Sequence, residues 1–169
     1  MKRLSLLFIA LTICACVPSK EVHQMEYGSG IAVVDSSNVW TYKIDGVSTG
    51  VHPYPFDNGP DYFEEGLARF VKNNKFGFFD TKARIVVPAT YDFATPFKEG
   101  RAVVCNGCKP YTEGEYILYK GGKWGFIDTA GKVIIPLQYD SAEMFQGGRA
   151  VVVLDGKTMT IDTRGVVQK

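Results

Sequence analysis

Apolar residues after position 26 fall in short runs broken by glycine, proline and aspartate, and no window beyond residue 16 sustains a helical apolar period. Ala102-Val103-Val104 and Ala150 to Leu154 are rich in β-branched residues, the composition that strands favour. Short runs of this kind, bounded by turn formers, predict strands and an all-β body.

The runs recur. Four segments open alike, at Tyr27, Phe63, Phe97 and Phe145, each with a glycine three residues on (Gly30, Gly66, Gly100, Gly148) and an alanine two after that. A second block follows as Lys75-Phe76-Gly77-Phe78-Phe79-Asp80, Lys123-Trp124-Gly125-Phe126-Ile127-Asp128 and a degraded Lys157 to Asp162, with a looser version at Trp40 to Asp45. A third block places Pro53, Pro88 and Pro136 eight residues after Asp45, Asp80 and Asp128, and Asp57, Asp92 and Asp140 twelve after, each behind an aromatic residue. The spacing predicts four tandem repeats over about 27–62, 63–96, 97–144 and 145–169, each of about three short strands.

Within a repeat, Trp124 and Phe126 are two apart and share a face, and Gly125 leaves the other face open for a neighbour to approach. Asp128 to Gly131 suits a tight hairpin in which aspartate caps the backbone and glycine takes a positive φ; Ala83 occupies that place in the second repeat. Lys132 to Ile135 is the third strand, which Pro136 is expected to end for want of an N–H. One unit cannot bury both its faces, so neighbours stack and degenerate end repeats act as caps. The expected architecture is an open, solenoid-like or meander β-array; the alternative is a partly closed, propeller-like ring.

The Lys-Trp-Gly-Phe block, the Asp-x-x-Gly turn and the closing Pro-x-x-Tyr-Asp resemble the WG (KWG) repeat family over residues 27–169, most closely at 75–92 and 123–140. The resemblance implies a repeat-built, non-catalytic module.

One repeat is longer than the rest. Gly66 to Asp80 and Gly148 to Asp162 each span 14 residues, whereas Gly100 to Asp128 spans 28, so an insertion lies within about 105–122. Insertions in repeat proteins gather on one face, often the binding one. Tyr111, Tyr116 and Tyr119, with Lys109, are therefore candidate partner-binding residues, set against a hairpin that merely packs over the stack. Tyr116 to Tyr119 is expected to extend the strand that enters Lys123.

The amino end is of another character. Lys2 and Arg3 precede ten apolar residues, Leu4 to Ile13, too few for a mature membrane span. Ile13-Cys14-Ala15-Cys16 resembles the lipobox of bacterial lipoproteins. That resemblance implies cleavage of residues 1–15, acyl chains such as palmitate on Cys16, and a leash over 16–26. Two or more acyl chains, at about 0.8 kcal/mol per buried CH₂, hold stably to a membrane. Val17 in place of aspartate favours the outer membrane by analogy.

The chain has 169 residues, 13% aromatic and 22% charged, with a formal net charge of +1. This is material for one domain, and it lacks the basic footprint of a nucleic-acid binder. Cys105 and Cys108 admit a structural disulfide, a redox or metal role, or incidental thiols; His23 and His52 lie far off in sequence. No nucleophile–base–orienter set is visible, so no enzyme and no cofactor beyond the lipid are expected. Lys75 and Lys123 are expected to face solvent or lie over a ring, Asp92 and Asp140 to cap turns, and His52 to sit in a loop. The function expected is a lipid-anchored envelope module that binds a protein, peptide or envelope polymer. The alternatives are a periplasmic redox or metal-handling protein using Cys105 and Cys108, and a structural spacer.

Overall fold

The computed structural model describes residues 24–34, 37, 39–56 and 59–168. The leader, Cys16, His23 and Asp57 lie outside them. Among the described residues there is no helix.

The first sheet is antiparallel, in the order β1 (Gln24–Tyr27), β2 (Gly30–Val34), β3 (Trp40–Ile44) and β4 (Val47–Ser48). Residues 24–26, expected in the leash, belong instead to β1, because Gln24 and Met25 pair with Val33 and Ala32. A two-stranded clip, β5 (Pro55–Phe56) and β6 (Gly59–Pro60), leads to the second sheet, β7 (Leu67–Lys72), β8 (Lys75–Asp80) and β9 (Ile85–Tyr91). The third sheet starts with β10 (Phe93–Ala94) and β11 (Arg101–Asn106). The chain then leaves it for a separate ribbon, β12 (Lys109–Glu113) and β13 (Tyr116–Lys120), and returns as β14 (Lys123–Asp128) and β15 (Val133–Tyr139). The fourth sheet is β16 (Ser141–Ala142), β17 (Arg149–Leu154), β18 (Lys157–Asp162) and β19 (Val167–Gln168).

The fold is an all-β repeat array, with two corrections to the expected unit. Sheets and sequence repeats are out of phase: residues just after each Tyr-Asp pair, Phe93-Ala94 and Ser141-Ala142, join the edge of the following sheet and give it a fourth strand. The third and fourth sheets are thereby stitched covalently and by hydrogen bonds to their predecessors. Proline does not end the third strand either. β9 and β15 run through Pro88 and Pro136 to Tyr91 and Tyr139. Trp124 pairs with Tyr139 and Phe126 with Ile135, so two steps on β14 face four on β15, and Pro136 sits in the resulting bulge where no ladder N–H is required.

That bulge explains the glycine of the Trp-Gly-Phe block. A Cβ on Gly125 would lie 2.6 Å from the Ile135 carbonyl and 2.8 Å from the Leu137 nitrogen; on Gly77 it would lie 2.6 Å from the Val87 carbonyl. Glycine and proline are thus two halves of one device. The Asp-x-x-Gly hairpins form as expected: Asp128 Oδ1 accepts from the N–H groups of Ala130 and Lys132, and Ala83 holds φ 61° where Gly131 has φ 81°.

Four sheets enclose three apolar layers, one between each successive pair. Trp40 and Tyr42 of the first sheet meet Ala68, Phe70 and Phe79 of the second. Phe76 and Phe78 meet Ala102, Val104 and Ile127 of the third, and Trp124 and Phe126 meet Ala150, Val152 and Ile161 of the fourth. The paired rings always face the following sheet. In the last unit they are replaced by Thr158 and Thr160, on whose face no further sheet lies among the described residues. The first unit is offset by one residue: Tyr27 pairs with Gly30 across its turn, whereas Glu64, not Phe63, pairs with Leu67. Because strand side chains alternate, this slip turns Ala32 toward the following sheet, while Ala68, Ala102 and Ala150 face the preceding one.

Candidate functional site

Three sets of polar contacts join the units, and all three hold the scaffold on which the insertion stands. The block lysines stay at the surface, Lys123 with 52% of its side chain exposed, but they are not free there: both pair with the closing aspartates. Lys75 Nζ lies 2.6 Å from Asp92 Oδ1, and Lys123 Nζ lies 2.8 Å from Asp140 Oδ1. The same aspartates reach into the next unit, where Gly107 N–H donates to Asp92 Oδ2 at 2.7 Å and Gly156 N–H to Asp140 Oδ2 at 3.4 Å. They clamp unit to unit and do not cap the turns after Pro88 and Pro136. Burial works against the Asp92 charge, but the Lys75 ammonium and the Gly107 N–H hold its carboxyl below the ordinary range. The Lys123 ammonium does the same for Asp140, and Asp140 in turn raises Lys123.

The second set is a ladder of turns. Gly100 N–H donates to the Glu65 carboxylate at 2.9 Å; Gly147 and Gly148 N–H donate to Glu99 at 2.7 and 2.8 Å. These donors lower the Glu99 pKa. Glycine at 147, where the earlier turns carry glutamate, ends the ladder.

The third set is buried. Arg69 and Asp61 are 4% and 1% exposed, with Arg69 Nε donating to Asp61 Oδ2 at 2.9 Å, its NH2 to Oδ1 at 2.6 Å and its NH1 to the Ala94 carbonyl at 3.0 Å. The guanidinium lies 5.0 Å from the centre of the Tyr54 ring. Tyr27 donates to the Asp61 carbonyl, and burial followed by the Asp61 charge raises its pKa. Sequence reasoning missed this pair. The signal was present: Arg69 stands where the third and fourth repeats have Val103 and Val151. The constant interval of 17 residues from Lys75 to Asp92 and from Lys123 to Asp140 was equally readable.

The insertion is the β12–β13 ribbon, closed by Gly114 and Glu115, with Gly114 at φ 61°. It does not extend β14. Gly121 and Gly122, at φ 72° and 68°, turn the chain between β13 and β14. Pairing places Tyr111, Leu118, Tyr116, Lys109 and Lys120 on one face and Pro110, Tyr119, Thr112 and Ile117 on the other. The three tyrosines accordingly diverge. Tyr119 stacks on Phe93 at 4.3 Å and packs against the apolar layers, and burial raises its pKa. Tyr111 lies half-buried beneath the Lys120 ammonium, 4.8 Å from the ring centre. Tyr116 is 74% exposed, beside Ile117 at 61% and Leu118 at 40%.

Cys105 and Cys108 are disulfide-bonded, with Cα atoms 6.2 Å apart, and tie the ribbon's entry to the third sheet. Both are buried, at 0% and 2% exposure. Among the described residues, no group of three or more His, Cys, Asp or Glu is placed to hold a metal ion. At the ribbon's base a groove of about 390 Å³ runs between it and the β7–β8 hairpin, lined by Tyr54, Asn74, Phe76, Asp92, Lys109 and Tyr119 among others. Lys109 thus lines the groove, Tyr116 marks the free end of the ribbon, and Tyr119 bridges groove and core. His52 lies in a loop, its Nδ1 3.1 Å from the Trp40 carbonyl.

A family model described as a WG containing repeat matches residues 56–76, 76–109 and 124–157, together just over half of the chain. No curated protein and no solved structure is significantly similar.

Proposed function

The chain belongs to the WG-containing repeat family, and on that premise we propose that it is a non-catalytic, lipid-anchored module of the bacterial cell envelope. It grips a protein, peptide or envelope polymer with the inserted ribbon and the groove at its base. The observation that carries this reading is the consecutive exposed run Tyr116-Ile117-Leu118 on a ribbon absent from the other units. Exposed apolar residues on both faces of one ribbon, with a tyrosine among them, are the composition of contact surfaces. The buried sulfurs of Cys105 and Cys108 support a staple over thiol exchange, which needs an accessible thiolate. Anchoring rests on the lipobox at residues 13–16, and the outer membrane on Val17.

The test is a photo-crosslinking side chain placed at Tyr116, and separately at Thr158 on the last sheet, in cells making the full chain. A discrete adduct at Tyr116 with a molecule other than a second copy of this chain, absent at Thr158 and lost when Ile117 and Leu118 become serine, supports the reading. No adduct at Tyr116, or an adduct only to a second copy of this chain, overturns it. Metabolic labelling with an alkynyl palmitate checks the anchor: label should be lost in Cys16→Ser.

A further inference from the structure

Sheet edges invite pairing with other chains, and nearly every edge here is blunted. β4, β16 and β19 are two residues long, and β1 presents Gln24 and Glu26. β9 and β15 are bulged at Pro88 and Pro136, and β7 is met by Pro53, which bridges to Phe70. β13 is the exception. Its five residues, Tyr116-Ile117-Leu118-Tyr119-Lys120, carry no proline and no bulge, and among the described strands β12 is their sole hydrogen-bonded neighbour.

The ribbon's own geometry says which groups are free. In a hairpin closed by two residues, the flanking Glu113 and Tyr116 form a hydrogen-bonded pair, and the pattern alternates from there. Tyr111/Leu118 and Lys109/Lys120 are then bonded pairs. Thr112 and Pro110 on β12, and Ile117 and Tyr119 on β13, turn their backbone groups outward. Pro110 has no N–H to offer, so the outer edge of β12 is broken in the way natural edges are protected. The outer edge of β13 is complete.

We infer that β13 is a self-pairing edge, docking antiparallel against β13 of a second copy about a two-fold axis at Leu118. In that register Ile117 of each copy exchanges both backbone hydrogen bonds with Tyr119 of the other, an isologous contact. Leu118 faces Leu118, and Tyr116 faces Lys120, repeating the contact that Lys120 already makes with Tyr111 at 4.8 Å. Charge selects the direction. The segment has Glu115 at one end and Lys120 at the other, so antiparallel pairing brings opposite charges together and parallel pairing brings like charges together. Two ribbons then form one four-stranded sheet that doubles the tyrosine–lysine face. Five residues a side bury less than a stable dimer interface does, so the pairing is weak in dilute solution and grows with concentration. This inference does not depend on a heterologous partner: self-pairing with no foreign adduct at Tyr116 would retire that partner and leave β13 as described.

The test is Leu118→Cys in the full chain under mild oxidation, with the unsubstituted chain alongside. Directly opposed residues of a non-bonded antiparallel pair have Cα atoms about 4.5 Å apart, within disulfide range. The expected result is a covalent dimer that increases with concentration, several-fold above the yield from Tyr116→Cys, whose opposite residue is Lys120. Adding Ile117→Pro, which removes an outward N–H as Pro110 does on β12, should abolish the dimer. Independently, Leu118→Lys places like charges face to face and should sediment as monomer at concentrations where the parent self-associates. No dimer from Leu118→Cys, equal yields at 116 and 118, or a Leu118→Lys protein that still dimerises would overturn the inference.

Discussion

Replacing Gly125 by alanine tests whether the Trp-Gly-Phe glycine exists to admit the proline bulge. The added Cβ meets three backbone atoms of β15, the Ile135 carbonyl oxygen at 2.6 Å and the Leu137 nitrogen and Pro136 carbonyl carbon at 2.8 Å each. None can move as a side chain moves. Relief requires β15 to shift, which strains the Trp124–Tyr139 and Phe126–Ile135 pairings on either side. Overpacking of this kind costs about 1–3 kcal/mol, and a purely backbone clash belongs at the upper end. Alanine returns about 0.4–1 kcal/mol by restricting the unfolded chain, leaving a net loss of about 2 kcal/mol. For a domain near 150 residues that is a fall in Tm of about 8 °C. Gly59→Ala is the control, since its Cβ would find nothing nearer than the Met25 sulfur at 3.8 Å. Thermal unfolding followed by circular dichroism, with the fluorescence of the two tryptophans, Trp40 and Trp124, as a second probe, decides the matter. Equal Tm values for the two variants would refute the coupling of glycine to bulge.

Asp61→Ala leaves the Arg69 charge buried and unpaired, and should cost about 3–5 kcal/mol in chemical denaturation. Asp61→Leu with Arg69→Val, the residue of the equivalent strand position, should recover most of that loss; failure to recover would mean the pair does more than fill the core. Cys105→Ser with Cys108→Ser opens a four-residue loop and should cost about 2 kcal/mol by chain entropy, measurable as a lower Tm with the sheet spectrum retained. Asp92, Asp140 and Glu99 have folded pKa values below their unfolded ones, so their contribution is present above the ordinary carboxylate range and is lost as pH falls through the depressed folded values. Denaturation midpoints should therefore drop on acidification, less steeply in Glu99→Gln; identical pH profiles would contradict the ladder.

Periodicity alone determined that this chain is a stack of β units. A strand repeats its exposure every two residues, so Trp124 and Phe126, Phe76 and Phe78 had to share a face, and rings on one face of a small sheet need a neighbour to cover them. The insertion was equally legible, because a repeat supplies its own ruler. What the order of residues did not carry was which sheet each segment joins. Phe93-Ala94 and Ser141-Ala142 follow one repeat in sequence but hydrogen-bond to the next sheet, and the first unit's extra residue, plain in the 15 positions from Gly30 to Asp45, does not say which face its strand turns to the core. Polar partners were hidden for the same reason. Lys75 with Asp92, Glu99 with Gly148 and Arg69 with Asp61 are separated along the chain and meet only once the units stack. Tyr111, Tyr116 and Tyr119 look interchangeable as letters; the ribbon's pleat and its seat on Phe93 send one into the core, one beneath a lysine and one into solvent. Local periodicity fixes which way a side chain points, and only packing fixes what it meets there.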